Sequence, residues 1–379
     1  MNDEAWFPKS YDDARQTFLS LTEAWKARWP GAEARSYQVP SQKDHGLFVD
    51  YLYLPAKKEP RAIIALTSGV HGPETFTGHA LQRLFLEALL PSFSKEDVGF
   101  LIVHSLNPFG FKYERRSTEN NVNLNRNFAS TEETFNHENP GYAKLASALE
   151  PATPIGGLGL SFLKTLKFMA GALTSGGFTA ASLNQGLFEG QFRFPKGLEY
   201  GGTTWEPQVN DFIRYTREKF APYREVAVFD LHTGLGDRYQ LHLIPVDDPL
   251  SRDAILLDRL FKREQEQHLY AYTPFDTEGF YSTKGDLNTL VPTLASKGAK
   301  ALALTFEFGT RGAGLMAKLK TFNTIQVENQ GFHHGYKTKA IEAQARRNFM
   351  ETFFPSEIRW RQNAVERART IFQNVLSRI

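Results

Sequence analysis

The chain contains no cysteine. Disulfides, thiolate metal sites and cysteine nucleophiles are therefore excluded, and any metal must be held by histidine, aspartate or glutamate. A long apolar run is also missing. No segment reaches the roughly 18 consecutive apolar residues of a membrane span. The least polar stretch, 154–187, is broken by Lys164, Lys167, Asn184 and several glycines. The N-terminus, Met1-Asn2-Asp3-Glu4, is acidic with no apolar core behind it, so no signal peptide is expected. Charge of one sign is absent too: 44 Lys and Arg face 42 Asp and Glu, and no basic block occurs. That balance offers nothing to nucleic acid or to a strongly anionic membrane. A soluble, cytoplasmic protein is expected.

What is present reads as an α/β chain. Its 379 residues, 41% hydrophobic and 23% charged, can bury a large core. Phe18, Leu19, Leu21, Ala24, Trp25 and Trp29 recur at helical spacing within 11–29. Residues 46–54 alternate as a strand, in a hairpin with an earlier one. Residues 61–66 and 98–103 are continuous apolar runs, as in strands covered on both faces. Between them a helix is expected from Pro73 to Leu90, stopped by Pro91. Strand, helix, strand in this order gives a right-handed parallel crossover. Residues 225–231, 240–246 and 301–308 repeat the strand pattern, and 356–379 reads as a helix packed across the outside. The fold class expected is α/β, with a mixed, largely parallel sheet flanked by helices. One domain should span 1–379. A glycine-punctuated, aromatic-rich insertion at 129–222 should flank the cleft.

The chemistry centres on Ser68-Gly69-Val70-His71-Gly72-Pro73-Glu74, which follows the strand 61–66. An imidazole and a carboxylate three positions apart can chelate one ion, and open α/β sheets place their chemistry at strand ends. The pair alone carries little, because this spacing is common. Asp230-Leu231-His232-Thr233-Gly234 ends a second apolar strand and puts His232 just past its end. A third ligand there completes a set of two histidines and one glutamate with an open position. Glu307 lies inside an apolar strand, where a carboxylate costs free energy unless paired or functional; a general base is one such function. Asn107-Pro108-Phe109-Gly110, Arg115-Arg116 and Asn123-Leu124-Asn125-Arg126 supply planar guanidinium groups and amides, which suit a polarised carbonyl or a substrate carboxylate. His79 is expected in packing or at the surface, His104 at the pocket border, and His333-His334 in solvent.

Taken in order, these segments resemble the zinc carboxypeptidase superfamily. The likeness is greatest to a bacterial branch near the deacylases of the succinylglutamate desuccinylase and aspartoacylase type. The matching motifs run from about residue 60 to 310. The resemblance implies one zinc ion held by His71, Glu74 and His232. It implies Glu307 as general base and acid, and Arg116, with Arg115 as the alternative, as oxyanion stabiliser. Asn125, Arg126 and Arg115 would bind the substrate. A mobile tyrosine upstream of the glutamate is a family feature, and Tyr281 suits it.

One departure stands out. Asn123 occupies the place of an aspartate that usually accepts a hydrogen bond from a zinc-bound histidine, a contact that raises the ring's basicity. An Asn123→Asp variant is therefore expected to hold zinc more tightly. The function implied is hydrolysis of an amide beside a free carboxylate, on a small peptide or N-acyl amino acid. A deacylase or amidase of the same superfamily is the alternative. An inactive ligand-binding relative is the non-enzymatic one.

Overall fold

The computed structural model describes residues 3–245, 254–262, 265–273 and 282–379. Tyr281 falls outside them. The strands are β1 (Glu33–Gln38), β2 (Phe48–Leu54), β3 (Ala62–Ser68), β4 (Val98–His104), β5 (Glu225–Gly234), β6 (Leu241–Pro245), β7 (Ala271–Tyr272) and β8 (Lys300–Gly309). Among the described residues they form one sheet in the order β1-β2-β4-β3-β5-β8-β6-β7. The four central strands, β4, β3, β5 and β8, are mutually parallel. β1 and β2 form the expected antiparallel hairpin. β6 runs antiparallel to β8, although its apolar run reads like those of the central strands. Burial on both faces sets such a pattern, and strand direction does not enter into it.

The helices are α1 (Tyr11–Arg28), α2 (Thr75–Leu84), α3 (Pro108–Tyr113), α4 (Pro140–Leu149), α5 (Leu158–Thr174), α6 (Ala180–Phe188), α7 (Pro207–Phe220), α8 (Ala254–Phe261), α9 (Leu287–Leu294), α10 (Leu315–His334), α11 (Lys339–Phe353) and α12 (Ile358–Arg378). Alternate residues of β3 feed two cores. Ala62, Ile64 and Leu66 meet α1, α2, α8 and α12 through Phe18, Leu81, Leu260 and Phe372. Ile63 and Ala65 meet α7 and α9 through Phe212 and Leu290. Each of the isoleucine, leucine and phenylalanine side chains contributes about 1.5–3 kcal/mol on burial, so both faces must stay covered.

Two boundaries differ from expectation. After Leu84 the first crossover helix widens into a π-helical turn, and Pro91 sits in a closing 3-10 turn at Leu90–Ser92. The stretch 129–222 is not uniform: α7 buries Val209, Phe212 and Phe220 against the sheet. α4, α5 and α6 instead share a separate core with α10 and α11, built from Tyr142, Leu183, Phe322 and Phe349.

Candidate metal centre and active site

β3 ends at Ser68, and the chain then turns tightly through Gly69 (φ 75°) and Gly72. Proline at the start of the 3-10 turn Gly72–Glu74 fixes its entry. This turn lies backbone to backbone on the Asn107–Gly110 loop. A Cβ on Gly72 would come 1.9 Å from the Gly110 carbonyl carbon and 2.4 Å from the Arg115 oxygen. The glycine is required by that approach. Asn107 accepts from Gly110 N–H at 2.8 Å and donates to the Arg116 carbonyl at 3.1 Å. The Asn-Pro-Phe-Gly motif thus shapes the loop that carries Arg116.

His71, Glu74 and His232 come together from the β3 end and from β5. All three are buried, and their ligand atoms lie within 4.8 Å of one another. His71 Nδ1 is 2.9 Å from Glu74 Oε1, and His232 Nδ1 is 2.9 Å from Oε2. Both histidines turn the same ring nitrogen to one carboxylate. Each Nε2 faces outward, to Asn123 Oδ1 at 3.0 Å for His71 and to Asp230 for His232. Thr67 in turn donates to Asp230 at 2.6 Å. β5 does not end before His232, as expected from sequence. It continues to Gly234, paired with β8 as far as Gly309, so His232 sits on rigid strand.

The parallel register sets His232 directly beside Glu307. Glu307 is buried, and its Oε1 accepts from Leu235 N–H at 2.8 Å. Burial, and then the charge of Glu74, push its carboxyl up to about 8. Burial also disfavours an ionised Glu74, yet His71 and His232 hold it well below the ordinary range. Burial, then Arg116, lowers His71 and keeps it neutral, as a metal ligand must be. Burial opposes a charged His232 as well, but Asp230 and Glu74 raise it well above its usual value. Two neutralisable imidazoles and a carboxylate in a buried cluster form a donor set suited to a divalent cation.

Arg116 and Arg115 diverge. Arg116 Nη1 lies 3.7 Å from Glu74 Oε1, and Nη2 lies 3.4 Å from Glu199 Oε1. Arg115 points away. It pairs with Glu328 at 2.6 Å, donates to Asn121 at 3.0 Å and stacks on Phe332 at 3.3 Å. Arg126 is buried, with Nη2 3.0 Å from Glu199 Oε2 and donating to the Phe188 carbonyl at 2.6 Å. Asn125 Oδ1 accepts from Leu287 N–H at 3.1 Å, at the start of α9.

Several neighbours have no counterpart in the sequence reading. Asp230 was readable, because residues two apart on a strand share a face. Glu199 sits in a loop and had no local signal. His242 pairs with Glu307 in the ladder, and its Nε2 accepts from Asp237 N–H at 3.1 Å. It therefore braces the loop whose Leu235 N–H holds Glu307. His79 and His104 are buried on each other, 3.2 Å apart, with Phe18 stacked on His104. His104 is thus a core residue. His333 and His334 are half-buried at the end of α10.

Residues 7–367 match the family described as "Protein of unknown function (DUF2817)". The chain belongs to that family. No curated protein matches it significantly. In shape the chain is similar to bovine thrombin-activatable fibrinolysis inhibitor, solved in complex with tick carboxypeptidase inhibitor. That match has 13% identity, 98% coverage of this chain, 97% of the other and a TM-score of 0.54. It is also similar to carboxypeptidase A from Helicoverpa armigera, at 11% identity, 96% and 74% coverage and a TM-score of 0.47. An aspartoacylase family protein from Mesorhizobium loti matches at 17% identity, 82% and 70% coverage and a TM-score of 0.39. At these identities the likeness is one of fold, and the first of the three is strong enough to speak to it. The carboxypeptidase-like α/β fold implied by the motifs is the observed one. No helix among the described residues is long and apolar enough to cross a membrane.

Proposed function

We propose that the chain is a zinc-dependent hydrolase of amide bonds. The observation that supports this is the buried convergence of His71, Glu74 and His232 with Glu307 beside His232 in the strand register. His71 Nδ1, Glu74 and His232 Nδ1 would hold the ion. Bound zinc would polarise the scissile carbonyl and make water more acidic. Glu307, raised toward neutrality by burial and by Glu74, is suited to accept the proton of the attacking water and return it to the leaving amine. Leu235 N–H keeps its carboxyl aimed. Arg116, 3.7 Å from Glu74, would steady negative charge developing on the carbonyl oxygen. Tyr281 remains a candidate for a supporting donor.

The substrate class is a small peptide or an N-acyl amino acid. A carboxypeptidase-like reaction would need Asn125 and Arg126 to hold a free carboxylate. Arg126 is already engaged by Glu199 and the Phe188 carbonyl. This observation favours the second reading in its amidase form, acting on an amide with no free carboxylate beside the cleaved bond.

The test is metal analysis of the purified protein, followed by a screen of peptides, their amides and N-acyl amino acids. Glu307→Ala should keep zinc and lose turnover by at least about a hundredfold. Equal, complete inertness of wild type and variant across the panel would favour a ligand-binding relative.

A further inference from the structure

Glu199 lies in the loop between α6 and α7, and its carboxylate is buried. Both oxygens are engaged. Oε2 accepts from Asn123 Nδ2 at 2.6 Å and sits 3.0 Å from Arg126 Nη2, while Oε1 faces Arg116 at 3.4 Å. Burial alone would favour the neutral acid, but the two arginines keep this carboxyl below its usual range.

Asn123 joins this carboxylate to His71. Its Oδ1 lies 3.0 Å from His71 Nε2 and also accepts from Asn125 N–H at 2.9 Å. Its Nδ2 donates to Glu199. These contacts fix the amide's orientation. Turned over, it would set its NH2 against the Asn125 N–H and its oxygen against a carboxylate, losing both bonds. With Oδ1 toward the ring, His71 Nε2 must carry the proton. That leaves Nδ1 with a free lone pair, directed at the Glu74 side of the cluster.

Resting on the zinc-site reading above, we infer that Glu199 is the carboxylate partner of His71, acting through Asn123 as a positioning residue. The aspartate usual beside such a histidine is here divided in two. An amide makes the contact, and a carboxylate one link further out supplies the charge. Hydrogen bonds in such a chain polarise one another, so the His71 ring gains basicity without a carboxylate touching it. The arrangement also reverses the expectation for position 123. An aspartate there would set one of its oxygens against Glu199, at the place where Asn123 Nδ2 now lies 2.6 Å from it. Asn123 is the complement of Glu199.

A chelator competition for zinc tests this on four full-length proteins: wild type, Glu199→Gln, Asn123→Asp and the double variant. Circular dichroism monitors the fold of each. Glu199→Gln should bind zinc about tenfold more weakly. Asn123→Asp alone should bind no more tightly than wild type. The double variant, which restores one carboxylate and one amide in exchanged places, should return to within about threefold of wild type. A loss that was merely structural would not be rescued by this exchange. The inference is overturned if Glu199→Gln holds zinc as wild type does, if the double variant is no better than Glu199→Gln, or if Asn123→Asp alone binds tenfold more tightly. Should Glu199→Gln fail to fold, the Asn123→Asp result decides by itself. A wild type that binds no zinc overturns the zinc-site reading instead.

Discussion

The two histidines of the cluster are built in opposite ways. His232 stands in the middle of a paired strand, with Asp230 two residues before it on the same face and Thr67 of the neighbouring strand behind that carboxylate. Its support is local in sequence and rigid. His71 stands on a loop turn whose support is assembled from far away: Gly110 beneath it, Asn123 beside it and Glu199 behind Asn123. The strand half concentrates charge, whereas the loop half keeps its carboxylate at a distance. A ligand that a strand already holds still can tolerate a strong partner in contact. A ligand delivered by a loop depends on several long-range contacts, each of which can be broken separately.

The largest break should come in the loop half. Gly72→Ala would drive a methyl group into three backbone atoms, none of which can rotate away. It should destabilise the protein by about 3 kcal/mol and abolish zinc retention, read by thermal denaturation and metal analysis. The comparable approach in the strand half, a Cβ on Gly309 2.0 Å from the Asp237 oxygen, lies two residues beyond Glu307 on β8 and not at His232 itself.

The second test concerns charge in the strand half. Burial, and then the charge of Glu74, push the Glu307 carboxyl up to about 8 from an ordinary 4.5. Its contribution to stability is therefore fully present below pH 4.5 and lost as pH rises through 8. Metal-free wild type should therefore lose stability across that window relative to Glu307→Gln. Denaturant titrations at pH 5 and pH 8.5, with chelator present, measure it. Added zinc should shrink the difference, because a cation beside Glu307 favours its ionised form. Equal pH dependence of the two proteins would contradict the placement of Glu307 in this charge cluster.

The smallest expected effect separates the halves most finely. Asp230→Asn should weaken zinc binding about ten- to a hundredfold, and no second substitution at 199 or 123 should restore it. Rescue of Asp230→Asn by a change at Glu199 would dissolve the distinction between the halves.

The sequence showed one half far better than the other, for the same physical reason. Each strand-borne residue announces itself. His232 and Glu307 interrupt apolar runs, and those runs are continuous because β5 and β8 are buried on both faces. Parallel pairing then brings the interruptions together. The loop half was legible as motifs but not as contacts. Asn107-Pro108-Phe109-Gly110 could be seen, yet its work in holding the Arg116 loop depends on two glycine backbones meeting 38 positions apart, from 72 to 110. Arg115 and Arg116 could not be told apart, since neighbours in a turn diverge according to partners such as Glu328. Glu199 was invisible, because a lone glutamate in a loop looks solvated until Arg116 and Arg126 are found around it. The antiparallel course of β6 and the core role of α7 were hidden likewise: burial pattern reports coverage, and direction and location come from pairing at long range.

The central claim is that His71, Glu74 and His232 bind one zinc ion. Metal analysis of the protein purified without chelator, for wild type and Glu307→Ala alike, tests it most directly. One zinc per chain in both is the predicted result; no stoichiometric metal in the wild type would contradict the account.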